Sequence, residues 1–422
     1  MTETIRTAGF LAGAAALVIA ASVVQPERRT PSMFSDEGEA FYPKFRDAQA
    51  VKAIEVVDYD ESTATARPLK VEFRRSRWVI ASNNDYPIDV GDRLVKTSAA
   101  LIDLRKDQVR SDLVQDHGKY GVIDPLDQKV SSLQGRGKRV TLRDAQKSVL
   151  ADFILGKPVE GKPVEGKPGE GKAGWRYVRV PGGKRTYAVK TDADPSTRFA
   201  DWVNSGLLRM PSAGIRKVTI ASYAVNQMTG VLDQAESVAL TQEAGQWKST
   251  AGAVKEAAAK ALASTLDSLK IVDARPKPAG MARDLREGQM QISMPTALAL
   301  RQFGFLLTQN GRILASDGEL TVEMANGVAY QIRFGDVAAS ASDTGKAAGG
   351  DRYLFVTTSW DAARATRYGN TSGLTSGATS GATSGAGEKT SHDLNVRFAD
   401  WFYVIGNADF QKLRLTKKDV LK

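Results

Sequence analysis

Arg198-Phe199-Ala200-Asp201-Trp202 recurs letter for letter as Arg397-Phe398-Ala399-Asp400-Trp401. Five identical residues can coincide by chance. Blocks that keep their order around such a pair do not readily coincide. Lys52-Ala53-Ile54-Glu55-Val56-Val57 matches Lys217-Val218-Thr219-Ile220 as the opening of a strand. Val71-Glu72-Phe73, a turn and Arg77-Trp78-Val79 match Val238-Ala239-Leu240, the turn Ala244-Gly245 and Gln246-Trp247-Lys248. Phe153 to Lys157 matches Ile332 to Asp336, and Trp175 to Val180 matches Asp351 to Val356. The body therefore reads as two tandem units, 51–210 and 211–422, each closing on the shared pentapeptide at the same structural position.

Apolar spacing predicts the same elements in both units: strand, strand, helix and three further strands. In the first unit a helix is expected from Asp89, with Asp92 three residues on and an apolar stripe of Val90, Leu94, Leu101 and Leu104. In the second, Val254, Ala258, Leu262, Leu266 and Leu269 form the stripe, and the helix is expected to start after Ser249 or Thr250. Val140 and Leu142 alternate as strand residues do, as do Leu320, Val322 and Met324. Asn326-Gly327 between two such runs is a hairpin signal. One helix to five strands predicts an α+β fold of two antiparallel-rich sheet-plus-helix repeats. Repeats of Gly-Lys-Pro-Val-Glu over 156–174 and of Thr-Ser-Gly-Ala over 371–387 read as extended and flexible linkers, inserted at comparable places in the two units.

Residues Ala8 to Val24 carry no charge and no proline. At ~1.5 Å per residue such a helix spans about 25 Å, close to a ~30 Å hydrocarbon layer. Residues 1–30 are expected to be a retained single-pass anchor. The rival reading is a cleaved signal peptide ending at Ala20-Ala21-Ser22. A short tail before a large polar body favours a body outside the cytoplasm, in the periplasm. Residues 31–50 are expected to be a polar stalk.

The 422 residues include no cysteine and two histidines. That excludes disulfides, thiolate nucleophiles and cysteine zinc sites. No catalytic residue, metal site or cofactor is expected. Gly166 to Ala173 approaches a P-loop but ends in Ala where a metal needs a hydroxyl, and it lies in a tandem repeat. The Gly-Ala-Thr-Ser-Gly runs lack the strand-turn-helix of a nucleophile elbow. His117 beside Asp116 could serve as an oriented base, but an exposed loop histidine is the commoner case; His392 is expected in solvent. Asp58 and Asp60 share one strand face, a spacing that suits a solvated strand end better than an acid/base pair. The net charge of +10 comes from basic residues spread along the chain, so nucleic acid is not an expected partner.

The series Trp78…Tyr86-Pro87-Ile88-Asp89, a helix, then Tyr120-Gly121-Val122-Ile123-Asp124-Pro125 resembles the DUF4340 domain family. Leu155-Gly156, Tyr177-Val178-Arg179 and Tyr187-Ala188-Val189 fit the same pattern, and the resemblance covers residues 50 to 410 approximately. The second unit departs from it in lacking the Tyr-Gly-x-x-Asp-Pro turn. The resemblance implies two copies behind one membrane helix and kinship with the extracytoplasmic auxiliary component of gliding-motility-type ABC transporters. It implies no activity and no catalytic residue. A non-catalytic accessory or scaffold protein is therefore expected, with the membrane and an ABC transporter permease or other envelope protein as partners. The alternatives are an envelope hydrolase with its site in a cleft between the repeats, and a peptide-binding module that adds a strand to a sheet edge. Arg198, Phe199, Asp201, Trp202, Arg397, Phe398, Asp400 and Trp401 are the candidate structural or partner-binding residues. Arg and Asp of the motif would pair or cap a turn while Phe and Trp fill the core.

Overall fold

The structure is a computed structural model. It describes residues 36–88, 94, 97–102, 104–160, 174–225, 232–287, 293–308, 310–338, 350–369 and 380–422, besides the isolated positions 13, 14 and 18. The expected anchor over Ala8 to Val24 lies outside the described residues but for those three positions. Among the described residues no helix is long and apolar enough to cross a membrane.

The first sheet is built from β1 (Ala53–Asp60), β2 (Thr65–Arg74), β3 (Arg77–Ile80), β4 (Tyr86–Pro87), β5 (Gln108–Ser111), β6 (Lys138–Arg143), β7 (Val149–Pro158), β8 (Gly174–Arg179) and β9 (Thr186–Thr191). Leu94 and residues 97–99 are helical, between β4 and β5, and the short α1 (His117–Tyr120) follows β5. Asp89 and Val90, the expected helix start, lie outside the described residues.

The second sheet is built from β10 (Ile215–Val225), β11 (Leu232–Glu243), β12 (Gln246–Lys248), β13 (Ile271–Pro276), β16 (Glu319–Met324), β17 (Val328–Val337), β18 (Arg352–Trp360) and β19 (Trp401–Ile405). Around it stand α2 (Glu256–Ser268), α3 (Ala279–Arg286), α4 (Met294–Arg301) and the small hairpin of β14 (Phe305–Leu307) and β15 (Ile313–Ala315). Towards the C-terminus come α5 (Ala362–Gly369), α6 (Ser380–Ala399), α7 (Asn407–Leu413) and α8 (Lys417–Val420).

The strand orders are β4-β3-β2-β1-β6-β7-β8-β9-β5 and β12-β11-β10-β16-β17-β18-β19-β13. Without the two-residue β4, the two sheets have one and the same order. Every ladder in them is antiparallel. The fold is thus α+β, with more strands than the five per unit that apolar spacing predicts. The surplus includes β3, β5 and β12, whose three or four residues are too few to display a period of two.

One hydrophobic core runs through both sheets, from Phe45, Ile54 and Val56 in the first to Leu354, Phe410 and Leu421 in the second. Alternation along β18 and β19 gives sheet two a second core on its other face. Leu354, Val356, Tyr403 and Ile405 enter the shared core, whereas Tyr353, Phe355, Phe402 and Val404 pack under α3, α4 and β14.

Four expectations need correction. Residues 40–50 are not a stalk: Phe41, Tyr42 and Phe45 are apolar enough to dock on sheet one, with Phe41 and Tyr42 edge-on to Phe153 at ring distances of 5.6 and 5.1 Å. The helix α2 starts at Glu256, because the Val254 backbone bridges to Leu421 and the Lys255 N–H donates to the Val420 carbonyl. The Thr-Ser-Gly-Ala repeat is not wholly a linker, since α6 takes in residues 380–387. The two low-complexity segments also occupy different connections, β7–β8 in the first sheet and β18–β19 in the second.

Candidate functional site: the joint between the sheets

The two pentapeptides occupy different places in their sheets. Arg198 to Trp202 follows β9, while Arg397 to Trp401 closes α6 and opens β19. The expectation of one structural position for both is therefore overturned; the strand order, not the motif, is what the sheets share.

In the first segment Phe199–Asp201 form a 3-10 turn. The Asp201 Oδ2 accepts from Ser196 Oγ at 2.6 Å and from Arg198 Nε at 2.8 Å. The Trp202 indole N–H donates to the Ser196 carbonyl at 2.8 Å, and its ring is fully buried. Arginine and aspartate thus close the turn over the tryptophan.

In the second segment the motif forms the C-terminal end of helix α6. The last carbonyls of an α-helix lack intrahelical partners, and a lysine is a fitting donor there. Lys277 supplies it from the far end of β13, its Nζ donating to the Phe398 carbonyl at 2.6 Å. Its backbone N–H donates to the Asp400 carbonyl at 2.8 Å. The Asp400 carboxylate pairs with Arg286 of α3, and the Tyr403 hydroxyl donates to the Arg397 carbonyl.

The two segments converge on Tyr86. Its ring lies 5.0 Å from that of Phe199 and 4.7 Å from that of Trp401. Beside it the Asn83 amide donates to Asp273 of β13, and the Ile271 N–H donates to the Ser205 carbonyl. Strand β13, the edge of sheet two, is thereby stitched to the connection leaving sheet one. All eight expected residues flank this joint, as two separate turns rather than one cluster.

Burial sets the electrostatics here. Lys277 lies over the rings of Phe355 and Phe402, its Nζ 4.4 and 5.3 Å from their centroids. Desolvation pushes its ammonium down to about 7, against an opposing pull from Asp400. Burial raises the Asp273 carboxyl in spite of Arg275 at 2.9 Å, and raises the Tyr403 hydroxyl well above its usual value. The donors described at the joint end on main-chain carbonyls and carboxylates of the joint itself. What such an arrangement does chemically is hold two sheets in register.

The remaining candidates lie elsewhere. His117 is buried rather than exposed, because its Nε2 meets the Lys184 carbonyl at 2.7 Å; burial lowers its pKa. His392 is exposed. Asp60 is engaged by Ser62 and Arg67, and the Ser62 hydroxyl first of all holds its carboxyl down at about 2. Gly166 to Ala173 lies outside the described residues. No three metal-ligating side chains converge among the described residues. Sequence reasoning missed Lys277 and the joining role of Tyr86. The run Pro276-Lys277-Pro278 was a usable signal, since two prolines fix an extended backbone around one lysine.

A family model described as a domain of unknown function (DUF4340) matches residues 78–288, half of the 422-residue chain. The match runs from β3 through the rest of sheet one and on past α3, so it includes the joint's Tyr86, Phe199 and Lys277. No curated protein and no solved structure matches the chain.

Proposed function

The chain belongs to the DUF4340 family, and from that premise we propose that it is a non-catalytic accessory or scaffold protein, tethered by its N-terminal segment and serving an ABC-type export or motility complex from the extracytoplasmic side. The observation that carries the reading is the joint. Two sheets of one strand order share a core, and the side chains best suited to chemistry there are spent on holding backbone together. We further propose that the sheets descend from one duplicated unit. Paired glycines support this: Gly156 and Gly335, at matching places in β7 and β17, leave no room for a Cβ against the carbonyls of Tyr120 and Phe303, 2.5 and 2.2 Å from the ideal positions.

The test is purification of the tagged full chain from detergent-solubilised membranes after in vivo crosslinking, with mass spectrometry of the products. The reading expects an integral membrane permease and its ATPase in stoichiometric amounts. A chain recovered from the soluble fraction, uncrosslinked to any membrane protein, defeats it.

One observation favours a second reading, peptide binding by strand addition. β12 covers only Thr241, Gln242 and Glu243 of the twelve-residue β11. The rest of β11 is laddered to β10 on one side, an arrangement that can accept an added strand on the other. Slowed hydrogen exchange at amides 232–240 on complex formation would assign binding to this edge.

A further inference from the structure

A sheet edge presents unpaired main-chain donors that invite a further strand, and folded chains blunt such edges. Most edges of this molecule are blunted by a side chain, a proline or a neighbouring carbonyl. On β5 the Val109 N–H donates to Glu37 at 2.7 Å. On β12 the Trp247 N–H donates to Glu256 at 3.2 Å. On β13 the Ile271 N–H donates to the Ser205 carbonyl at 2.9 Å. In β2, where β3 reaches back only to Val71, the Lys70 N–H donates to Ser82 Oγ at 3.1 Å. The next position on that edge is Pro68, which has no N–H to offer.

β11 holds in sheet two the place that β2 holds in sheet one, and its edge is bare. The turn Ala244-Gly245, at φ 51° and 81°, closes β11 on β12 at the pair Glu243–Gln246. β12 reaches back only to Thr241. Main-chain groups alternate in direction along an antiparallel strand. Glu243 and Thr241 face β12, so Ala239 and Ser237 face away from β10. Counted from the closing pair, they stand where β2 has Lys70 and Pro68. Among the described residues nothing caps their outward main chain. Ser237 is exposed and Ala239 half-buried. An irregularity in the ladder between Ser222 and Ala224 ends the regular run at Glu236. The open stretch is therefore 236–240, with Val238 at its middle.

We propose that this stretch pairs antiparallel with the same stretch of a second copy of the chain, about a twofold axis at Val238. The proposal rests on the reading that β11 accepts a strand, and it names the strand. The register is self-complementary. Ser237 of either copy lies opposite Ala239 of the other, and Glu236 lies opposite Leu240, so no like charges meet. An axis at Glu236 would set two carboxylates against each other, and one at Ser237 would bring Ala239 against the irregular ladder at Ala235. With the axis at Val238 the outward N–H and C=O of Ser237 and Ala239 are all satisfied. An edge used twice about a twofold axis closes as a dimer and does not propagate into a filament.

Sedimentation velocity of the full chain in mild detergent, across a wide range of concentrations, tests this. A reversible monomer–dimer equilibrium is expected. Ser237→Pro copies the device that β2 carries at the matching position. It should weaken the dimer at least about tenfold and leave the circular dichroism spectrum and melting temperature in place. Ala239→Lys, a charge on the edge, should weaken it too. Amide exchange at Ser237 and Ala239 should slow as the concentration rises. A chain that stays monomeric throughout, or a dimer left intact by both Ser237→Pro and Ala239→Lys, overturns the proposal. A monomer whose 232–240 amides are protected by another protein removes the second copy and keeps strand addition. Exchange at Ser237 and Ala239 unmoved by concentration and by complex formation removes both.

Discussion

Lys277 shows how a single side chain links the two sheets' architecture to a measurable property. Its ordinary pKa of 10.5 falls to about 7 in the fold, chiefly because burial disfavours the ammonium. Between those values the unfolded chain holds a proton that the folded chain does not. Stability therefore rises with pH across that window, and the cost of the buried charge is fully present below pH 7. Lys277→Met should remove this dependence. The melting temperature of the variant relative to the wild type is expected to be level below pH 7 and to decline from pH 7 to 10, and a constant difference across that range would refute the assignment. Tyr86 is the other residue on which the joint turns. Tyr86→Ala empties a buried site that touches both Phe199 and Trp401, and should lower stability by about 3–5 kcal/mol in urea unfolding. A loss under 1 kcal/mol would mean that the ring contacts carry little.

At the scale of elements, α6 is the instructive one. Its first residues, Ser380 to Gly387, belong to a low-complexity run with no apolar stripe, so local sequence offers no reason for a helix. Tertiary contacts supply it. The Asn395 side chain bonds both the N–H and the carbonyl of Thr358 at 2.8 Å, and the Thr358 hydroxyl donates to the Ser391 carbonyl at 2.9 Å. Gly387 lets the helix approach so closely that a Cβ would lie 2.5 Å from the Asn326 carbonyl and from the Trp360 indole nitrogen. Gly387→Ala should therefore destabilise by about 1–3 kcal/mol through forced displacement. Gly385→Ala, with nothing within 4 Å, should instead stabilise by up to about 1 kcal/mol through helix propensity. Thermal denaturation of the pair decides, and like signs would contradict the packing described. The hairpin at Asn326-Gly327 was readable in advance because Gly327 takes the left-handed conformation that its turn requires, at φ 82°. Strands β6 and β16 were readable because their apolar residues alternate, and the likeness of β1 to β10 and of β7 to β17 because their sequence blocks come in the same order. The joint was not, since its partners are far apart in sequence: Tyr86 and Trp401, Lys277 and Phe398. Only the closed fold brings them together.

At the scale of the molecule, one continuous core makes the two sheets one body. Ile54, Phe153 and Val189 of the first sheet belong to the same buried cluster as Val218, Leu320 and Leu354 of the second. A joint packed in this way makes separate unfolding of one sheet expensive, because it would strip Tyr86, Phe199 and Trp401 of their neighbours. The measurement that tests this most directly is equilibrium urea unfolding of the full chain, followed by amide hydrogen exchange resolved to each sheet. The account predicts a single transition in which the amides of β1 and β10 lose protection at the same urea concentration. Two transitions, with one sheet exchanging freely while the other stays protected, would show that the halves are merely strung together and that the joint does not bind them.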